Sequence, residues 1–487
     1  MIVANVHAAF LGGRRLFAMD RVHHHWLGQS VALHSRGYLA LVAWAAILAS
    51  AVSAAAACSQ DERGFIVGMH VVLGHQSPQA DREHPLVVCN LAPNQHVRIA
   101  AVIGDGRGAY YSSVTEFRVI DDELNTAKLA PVGGSYSGLH PDGYLWSMRK
   151  DPDPPAVLRD KVGQGDDIAI SVTSATGQRF DATITRDFGR GDVTTRELRT
   201  DGLVGRVLLP KRERLRGDAI IILPGAMRAL FDGRIAYLLA SRGHVVLDLA
   251  YFGTDELPEQ LQSVPIEYFS RAVDALRRDY VGANGNIVVL AFGRATEAAA
   301  MLALQRDDIA QLILVSPSSV INAGERNGEM VEQAAWTLGG APLAFMHRTD
   351  GEEDAIARQR PPYKTRPRFD WRLAALASRD PARIAYDRIK SEIVLLACGG
   401  DEVWPSDRMA NDIRDLARRN GRDNVAVQNL PGCGHDLGAP IAPTTNRDFV
   451  ALNGVRYTLG GTPESVWYGQ RAAWSAILRA VGSYDDR

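Results

Sequence analysis

The sequence predicts a β-sandwich followed by a doubly wound α/β domain, and three observations carry that prediction. Between about residues 80 and 200, short apolar-rich or alternating segments recur at regular intervals, separated by Gly, Asp, Asn and Pro. After Thr200 the rhythm changes, and near-continuous apolar runs alternate with stretches of helical period. The length of 487 residues exceeds one ordinary domain and leaves room for two folded units behind a leader.

In the first region the candidate strands are HPLVVCNLA, HVRIAAVIGD, TEFRVID, DIAISVTSA and RFDATITRDF. Several short strands at such spacing imply a sandwich. In the second region, residues 205–483, the runs AIIILPG, HVVLDLAYFG, NIVVLAFG, IAQLILVSP, EIVLLACGG and NVAVQNLPG are near-continuously apolar. Strands of a parallel sheet covered on both faces read this way. Helical patterns run from Ile266 to Tyr280 and from Ala295 to Gln305. A poorly patterned stretch, about 322–380, carries the pieces GEED and RQRPPYKTRPR. An irregular insertion of that length is expected to be a lid over a site.

The first 58 residues read as an export leader. From Gly37 to Ala57 the chain is uncharged, follows Arg36, and ends in Ala55, Ala56 and Ala57 before Cys58. Small residues there suit signal-peptide cleavage, whereas Cys58 fits the lipidated first residue of a lipoprotein. The run is also long enough for an uncleaved membrane helix. The expected location is therefore outside the cytoplasm: periplasmic, secreted, or attached to a membrane through Cys58. Loss or lipidation of Cys58 leaves Cys89, Cys398 and Cys433, for which one pair and one single thiol are expected. A net charge of −2, with no long single-sign run, gives no footprint for nucleic acid. Nothing in the pattern calls for a metal or a cofactor.

The chemistry concentrates in three places. The strand Ile287 to Leu290 leads into Ala291-Phe292-Gly293-Arg294-Ala295 and then a helix opening at Thr296. A strand, sharp turn and helix with small residues two positions either side of the tip is the nucleophile elbow of α/β-hydrolases. Here the tip is Gly293, which has no atom to attack with. Asp401 follows the strand Ile393 to Ala397, and His435 follows the strand Val425 to Leu430. The order of tip, acid and histidine is the order that fold imposes. Asp401 and His435 are thus the candidate acid and base. If they pair, Cys398 and Cys433 leave adjacent parallel strands. Neighbouring strands lie ~4.8 Å apart, within reach of a disulfide; two buried small apolar residues are the alternative.

Taken together, SYSGLHPDGYLWSM (135–148), LASRGHVVLDLAYFGTDELP (239–258), PIEYF (265–269), GGDEVWPS (399–406), GCGHDLGAPIAP (432–443) and GGTPESVWYGQRAAW (460–474) resemble the acyl-CoA thioesterase and bile acid-CoA:amino acid N-acyltransferase family. The resemblance covers about residues 85 to 481. It implies an immunoglobulin-like first domain on an α/β-hydrolase domain, a Ser or Cys nucleophile with Asp and His, and an acyl-CoA substrate. It also implies oxyanion donors from the loop after the first hydrolase strand, here Gly225 and Ala226, and from Arg294 after the tip. The sequence departs from the family twice: at Gly293, and in that loop, where Met227 and Arg228 are bulky and crowd the oxyanion position. Location adds a tension, because acyl-CoA is cytosolic and the leader points to export.

Three functions follow. The first is a protein without nucleophilic turnover that binds an acyl thioester, an ester or a partner. The second is a working thioester hydrolase or acyl transferase in which Asp401 and His435 activate water, or in which Thr296, Ser316, Ser318 or Ser319 serves as nucleophile. The third is an adhesion or assembly module.

Overall fold

The computed structural model describes Cys58, residues 69–73 and residues 79–483, apart from gaps at 107, 163–166, 226–232, 255, 282–284, 442 and 452–453. The expected leader, 1–57, lies outside the described residues. The chain divides into units 1–59 and 60–487, and the sandwich and the α/β domain both belong to the second.

Alternation builds the sandwich. Gln95–Gly104 and Tyr110–Val119 pair antiparallel along their whole length, and Asp167–Ser174 pairs with the other edge of the first. Arg179–Thr185 completes that side, while Gly133–Gly134 and Arg149–Asp151 add to Tyr110–Val119. A smaller sheet contains His70–Leu73, Leu86–Cys89 and Leu124–Asn125. Because side chains alternate across a strand, Val97, Ile99, Ala101 and Ile103 face one way and meet Phe117, Ile168 and Ile170. Leu86, Val88 and Leu124 of the smaller sheet close the same core. The SYSGLHPDGYLWSM segment lies over it as a short helix, Gly143–Trp146, that buries Tyr144, Leu145 and Trp146. Trp467 of the C-terminal helix Pro463–Ala480 enters this core as well.

The α/β domain is an eight-stranded sheet. Its order is Val193–Leu198, Val204–Pro210, Val245–Ala250, Ala219–Leu223, Ile287–Phe292, Gln311–Val315, Glu392–Cys398, Val425–Leu430. The first two are antiparallel and the last six run parallel. Both faces are covered: Ile221 and Leu223 enter one core, and Ile220 and Ile222 the other. Ala219–Leu223 pairs with the later Val245–Ala250 on one side and with Ile287–Phe292 on the other. Chain order reverses there, and the C-terminal end of such a switch point is the usual ligand position in open α/β sheets.

Three expectations change. Val193–Leu198, assigned by its position before Thr200 to the sandwich, belongs to the second sheet; it forms a hairpin with Val204–Pro210. The insertion is not irregular. It contains the hairpin Ala323–Arg326 with Glu329–Ala334, the short pair Trp336–Leu338 with Ala341–Pro342, and the helix Arg366–Ala375. Nor is there a single thiol, since no described cysteine is free.

Candidate functional site

Gly293 sits where the strand Ile287–Phe292 becomes the helix Ala295–Gln305. Its φ is +52°, a left-handed value that glycine adopts at little cost. The turn is held from both sides: Gly293 N–H donates to the Val315 carbonyl (2.9 Å), and the Gly293 carbonyl accepts from the Thr296 amide (3.0 Å) and hydroxyl (2.6 Å). Ala291 and Ala295 are fully buried, and their small side chains let strand and helix approach closely. A Cβ on Gly293 would lie 3.4 Å from His435 Nε2.

His435 Nδ1 and Asp401 Oδ2 are 2.9 Å apart. Asp401, wholly buried, is further fixed within its own loop. Its Oδ1 accepts from the amides of Val403 (2.9 Å) and Trp404 (3.2 Å), and its Oδ2 from the Ser406 hydroxyl (2.7 Å). His435 is braced independently: its N–H donates to the Leu459 carbonyl (2.8 Å) and its carbonyl accepts from the Ser316 hydroxyl (2.7 Å). Gly460, the next residue, bridges Asp401, so one short segment steadies both loops. Burial disfavours the charged imidazole, but the charge and hydrogen bond of Asp401, with Asp436 beside it, hold its pKa above the usual histidine value. Cys398 and Cys433 form a disulfide with a Cα separation of 5.5 Å. It links the ends of the strands that precede the acid and the histidine.

Of the oxyanion candidates, Gly225 and Arg294 come to the elbow. A Cβ on Gly225 would stand 3.1 Å from the Phe292 carbonyl oxygen, a close approach that favours glycine. The Arg294 backbone N–H has no acceptor among the described residues. Ala226, with Met227 and Arg228, lies outside the described residues. The Arg294 side chain does separate work. It is 5% exposed and pairs with Glu297 (2.8 Å) and Glu325 (2.8 Å), and it also donates to the carbonyls of Asn322 and Ala323. Glu297 in turn accepts from Asn322 N and Nδ2 and from Trp336 Nε1. The elbow is thereby anchored to the start of the insertion.

Three of the four candidate substitute nucleophiles are otherwise engaged, and the fourth, Ser319, has an Oγ with no partner among the described residues. Ser318 Oγ donates to the Val320 carbonyl (2.7 Å), Thr296 and Ser316 bind as above, and Ser319 is buried outside the cavity wall. The sequence did not single out Ser406 or the Leu459–Gly460 brace, although Ser406 lies inside GGDEVWPS and Gly460 opens GGTPESVWYGQRAAW, and it named Ser316 only as a substitute nucleophile, not as a support for His435. A cavity of about 1120 Å³ opens over Gly293 and His435. The sandwich contributes Tyr111 and Arg186 to its wall, and the insertion Met330 and Phe369. No metal-holding cluster of His, Cys, Asp or Glu occurs among the described residues.

Comparison with known proteins assigns this architecture. Residues 81–200 match the acyl-CoA thioester hydrolase/BAAT N-terminal region, and residues 264–481 match the BAAT/acyl-CoA thioester hydrolase C-terminal region. Acyl-coenzyme A thioesterase 1 of Mus musculus is 26% identical over 82% of this chain and 92% of its own length. Mitochondrial acyl-coenzyme A thioesterase 2 of the same species is 25% identical over 82% and 85%. Acyl-coenzyme A thioesterase 6 of Homo sapiens is 25% identical over 80% and 91%. With both domains matched in order and the acid and histidine brought together at an elbow, the chain belongs to the acyl-CoA thioester hydrolase/BAAT family.

Proposed function

We propose that this protein binds an acyl thioester in the cavity over Gly293 and forms no acyl-enzyme there. The observation that carries the reading is the elbow itself: the position nearest His435 Nε2 is a glycine, and a side-chain atom would start only 3.4 Å from that nitrogen. Loss of a nucleophile that works with its base as a unit costs about a millionfold in rate, while oxyanion and binding contributions leave about a thousandfold over water. Binding with turnover near that residual level is the expected behaviour. A second reading is favoured by the intact 2.9 Å contact between His435 and Asp401, which equips the histidine to take a proton from a water seated at Gly293.

One experiment separates them. Purified protein is titrated with acyl-CoA thioesters and assayed for release of free thiol, with His435→Ala alongside. Saturable binding without thiol release supports the first reading. Release abolished by His435→Ala supports the second, and absence of binding to any thioester overturns both.

On location, the leader 1–57 supports export. The disulfide at Cys58 favours cleavage without lipidation, since a sulfur in a disulfide cannot also carry a thioether lipid. Mass measurement and fractionation of protein from a native-like host test this: a cytosolic chain retaining Met1 or Met19 overturns export, and added acyl mass on Cys58 overturns the unlipidated form.

A further inference from the structure

The carboxylate next to the histidine faces the cavity without a Lys or Arg. Asp436 lines the cavity and is partly exposed. Its Oδ1 accepts from the Gly438 amide at 3.4 Å and its Oδ2 from Gln470 Nε2 at 3.3 Å, two long contacts with neutral donors. Burial lifts its pKa, and the Gly438 amide and the charge of His435 pull it back; no Lys or Arg among the described residues reaches it. Glu325 and Glu353, which line the same cavity, are instead matched by Arg294 (2.8 Å) and Arg368 (2.5 Å). Arg447, close by in the fold, directs its Nη1 to the Gly461 carbonyl. A carboxylate in a water-poor site is costly unless a cation meets it.

The neighbouring hairpin shows what kind of cation. Phe449 and Tyr457 lie opposite each other where Asp448–Val450 pairs with Arg456–Thr458. Their rings stack with centroids 5.4 Å apart, and both residues line the cavity and are partly exposed. Tyr363 extends the group, its ring 6.3 Å from that of Tyr457. The hairpin is tied to the histidine loop through Leu459, whose amide donates to the Arg447 carbonyl (2.7 Å) and whose carbonyl accepts from the His435 amide (2.8 Å). Asp436 and Asp448, each the next residue along, therefore leave from the same point, and Asp448 adds negative charge to that side. Aromatic faces beside a carboxylate recognise a quaternary ammonium, which carries charge but no N–H to satisfy.

We propose that this corner of the cavity, Asp436 with the faces of Phe449 and Tyr457, binds a quaternary ammonium carried on the thiol side of the acyl thioester. In acyl transfer the histidine that serves as base also returns its proton to the leaving atom, so a group next to His435 lies on the leaving-group side. The cation stands a few bonds from the sulfur. The assignment rests on the acyl-thioester reading above and narrows the thiol to a small cationic one.

The test titrates the whole protein with S-butyrylthiocholine and with its uncharged isostere, in which a carbon replaces the quaternary nitrogen, with butyryl-CoA alongside. Affinity is read as Kd, or as KM where free thiol is released. The cationic thioester should bind about tenfold tighter than the isostere, the scale of a partly desolvated cation–π contact. Asp436→Asn keeps the shape and removes the charge, so it should bring the two to equal affinity. Phe449→Leu, at a partly exposed ring, should shrink the preference and gives the second measurement if Asp436→Asn does not fold. Equal affinities in the unaltered protein, tighter binding of the isostere, or a cationic preference that survives these variants would overturn the subsite and leave acyl-thioester binding standing. Binding of butyryl-CoA with neither probe bound would do the same. Failure of all three to bind would instead overturn the acyl-thioester reading, and the subsite with it.

Discussion

Restoring a nucleophile at Gly293 is the most direct perturbation of this site. A Cβ built there lies 3.4 Å from His435 Nε2, so the Oγ of Gly293→Ser or the Sγ of Gly293→Cys, one bond further on, falls within hydrogen-bonding reach. The imidazole needs no rearrangement, because Asp401, Leu459 and Ser316 already hold it. The cost is conformational: an L-residue at φ +52° loses about 1–2 kcal/mol, measurable as a lowered denaturation midpoint. The gain is a covalent route, and even a poorly optimised nucleophile should raise thioester cleavage by about a hundredfold, a small part of the roughly millionfold that such a unit supplies. Cysteine should respond more readily than serine, since a thiolate forms with less help from the base. His435 is held above the usual histidine pKa, so the rate with Gly293→Ser should fall as pH drops through a value above the ordinary ~6.5. Intact-mass spectrometry after mixing with an acyl thioester should show one added acyl group on Gly293→Cys. A folded variant with neither added mass nor faster cleavage would refute this reasoning and place the defect in the oxyanion loop at Gly225 and beyond.

Three further outcomes follow from the packing. Replacing Cys398 and Cys433 by Ser opens a bridge spanning 35 residues, which the chain-entropy relation values at roughly 3–4 kcal/mol; urea unfolding under non-reducing conditions should show that loss. Glu297→Ala leaves Arg294 buried with only Glu325 and carbonyls around it, and should cost about 3–5 kcal/mol, as expected for breaking a buried pair. Burial pushes Asp142 from 3.8 up to about 7, against the pull of the His84 amide and of Arg471. Its folded pKa thus exceeds its unfolded value, so the folded state holds the proton more tightly and stability falls as pH rises towards 7. Unfolding at pH 5 and pH 8 should differ by about 2–3 kcal/mol from this group, and Asp142→Asn, which can still accept from His84, should remove that difference.

The readable parts of this chain were those fixed by local pattern. The inner parallel strands announce themselves because both faces are buried, as in AIIIL with every residue inside, whereas the edge strand Val425–Leu430 buries only its two ends. Gly293, Asp401 and His435 were legible because each follows a parallel strand, and strand order alone brings the loops together. Val193–Leu198 was misplaced for the opposite reason: VTTREL is an edge strand with most of its side chains exposed, so no apolar run marks it as part of the second sheet. The insertion hid its hairpin likewise, since AGER and EMVEQA carry too few apolar residues to alternate visibly. Glu297 looked like an acid in the first turn of an alanine-rich helix. Its partners Asn322 and Trp336 lie 25 and 39 residues away, and no local rule connects them. The Leu459–Gly460 brace was invisible on the same grounds, because its partners belong to loops distant in sequence.

That brace explains how the acid and histidine can persist beside a glycine. Three of the four hydrogen bonds to the Asp401 carboxylate come from its own loop, and His435 is held through its backbone. Neither depends on a side chain at position 293, so a glycine there leaves the geometry of the pair intact. Nε2 then faces a space whose occupant the ligand supplies. A thioester carbonyl placed there has no proton to give, and His435 can act only as a polar contact. A water, hydroxyl or amine placed there has one, and the same imidazole, backed by Asp401, becomes its base. Whether the site receives or reacts is therefore set by the atom that the bound molecule presents at Gly293, and a ligand series varied at that atom alone reads out the difference.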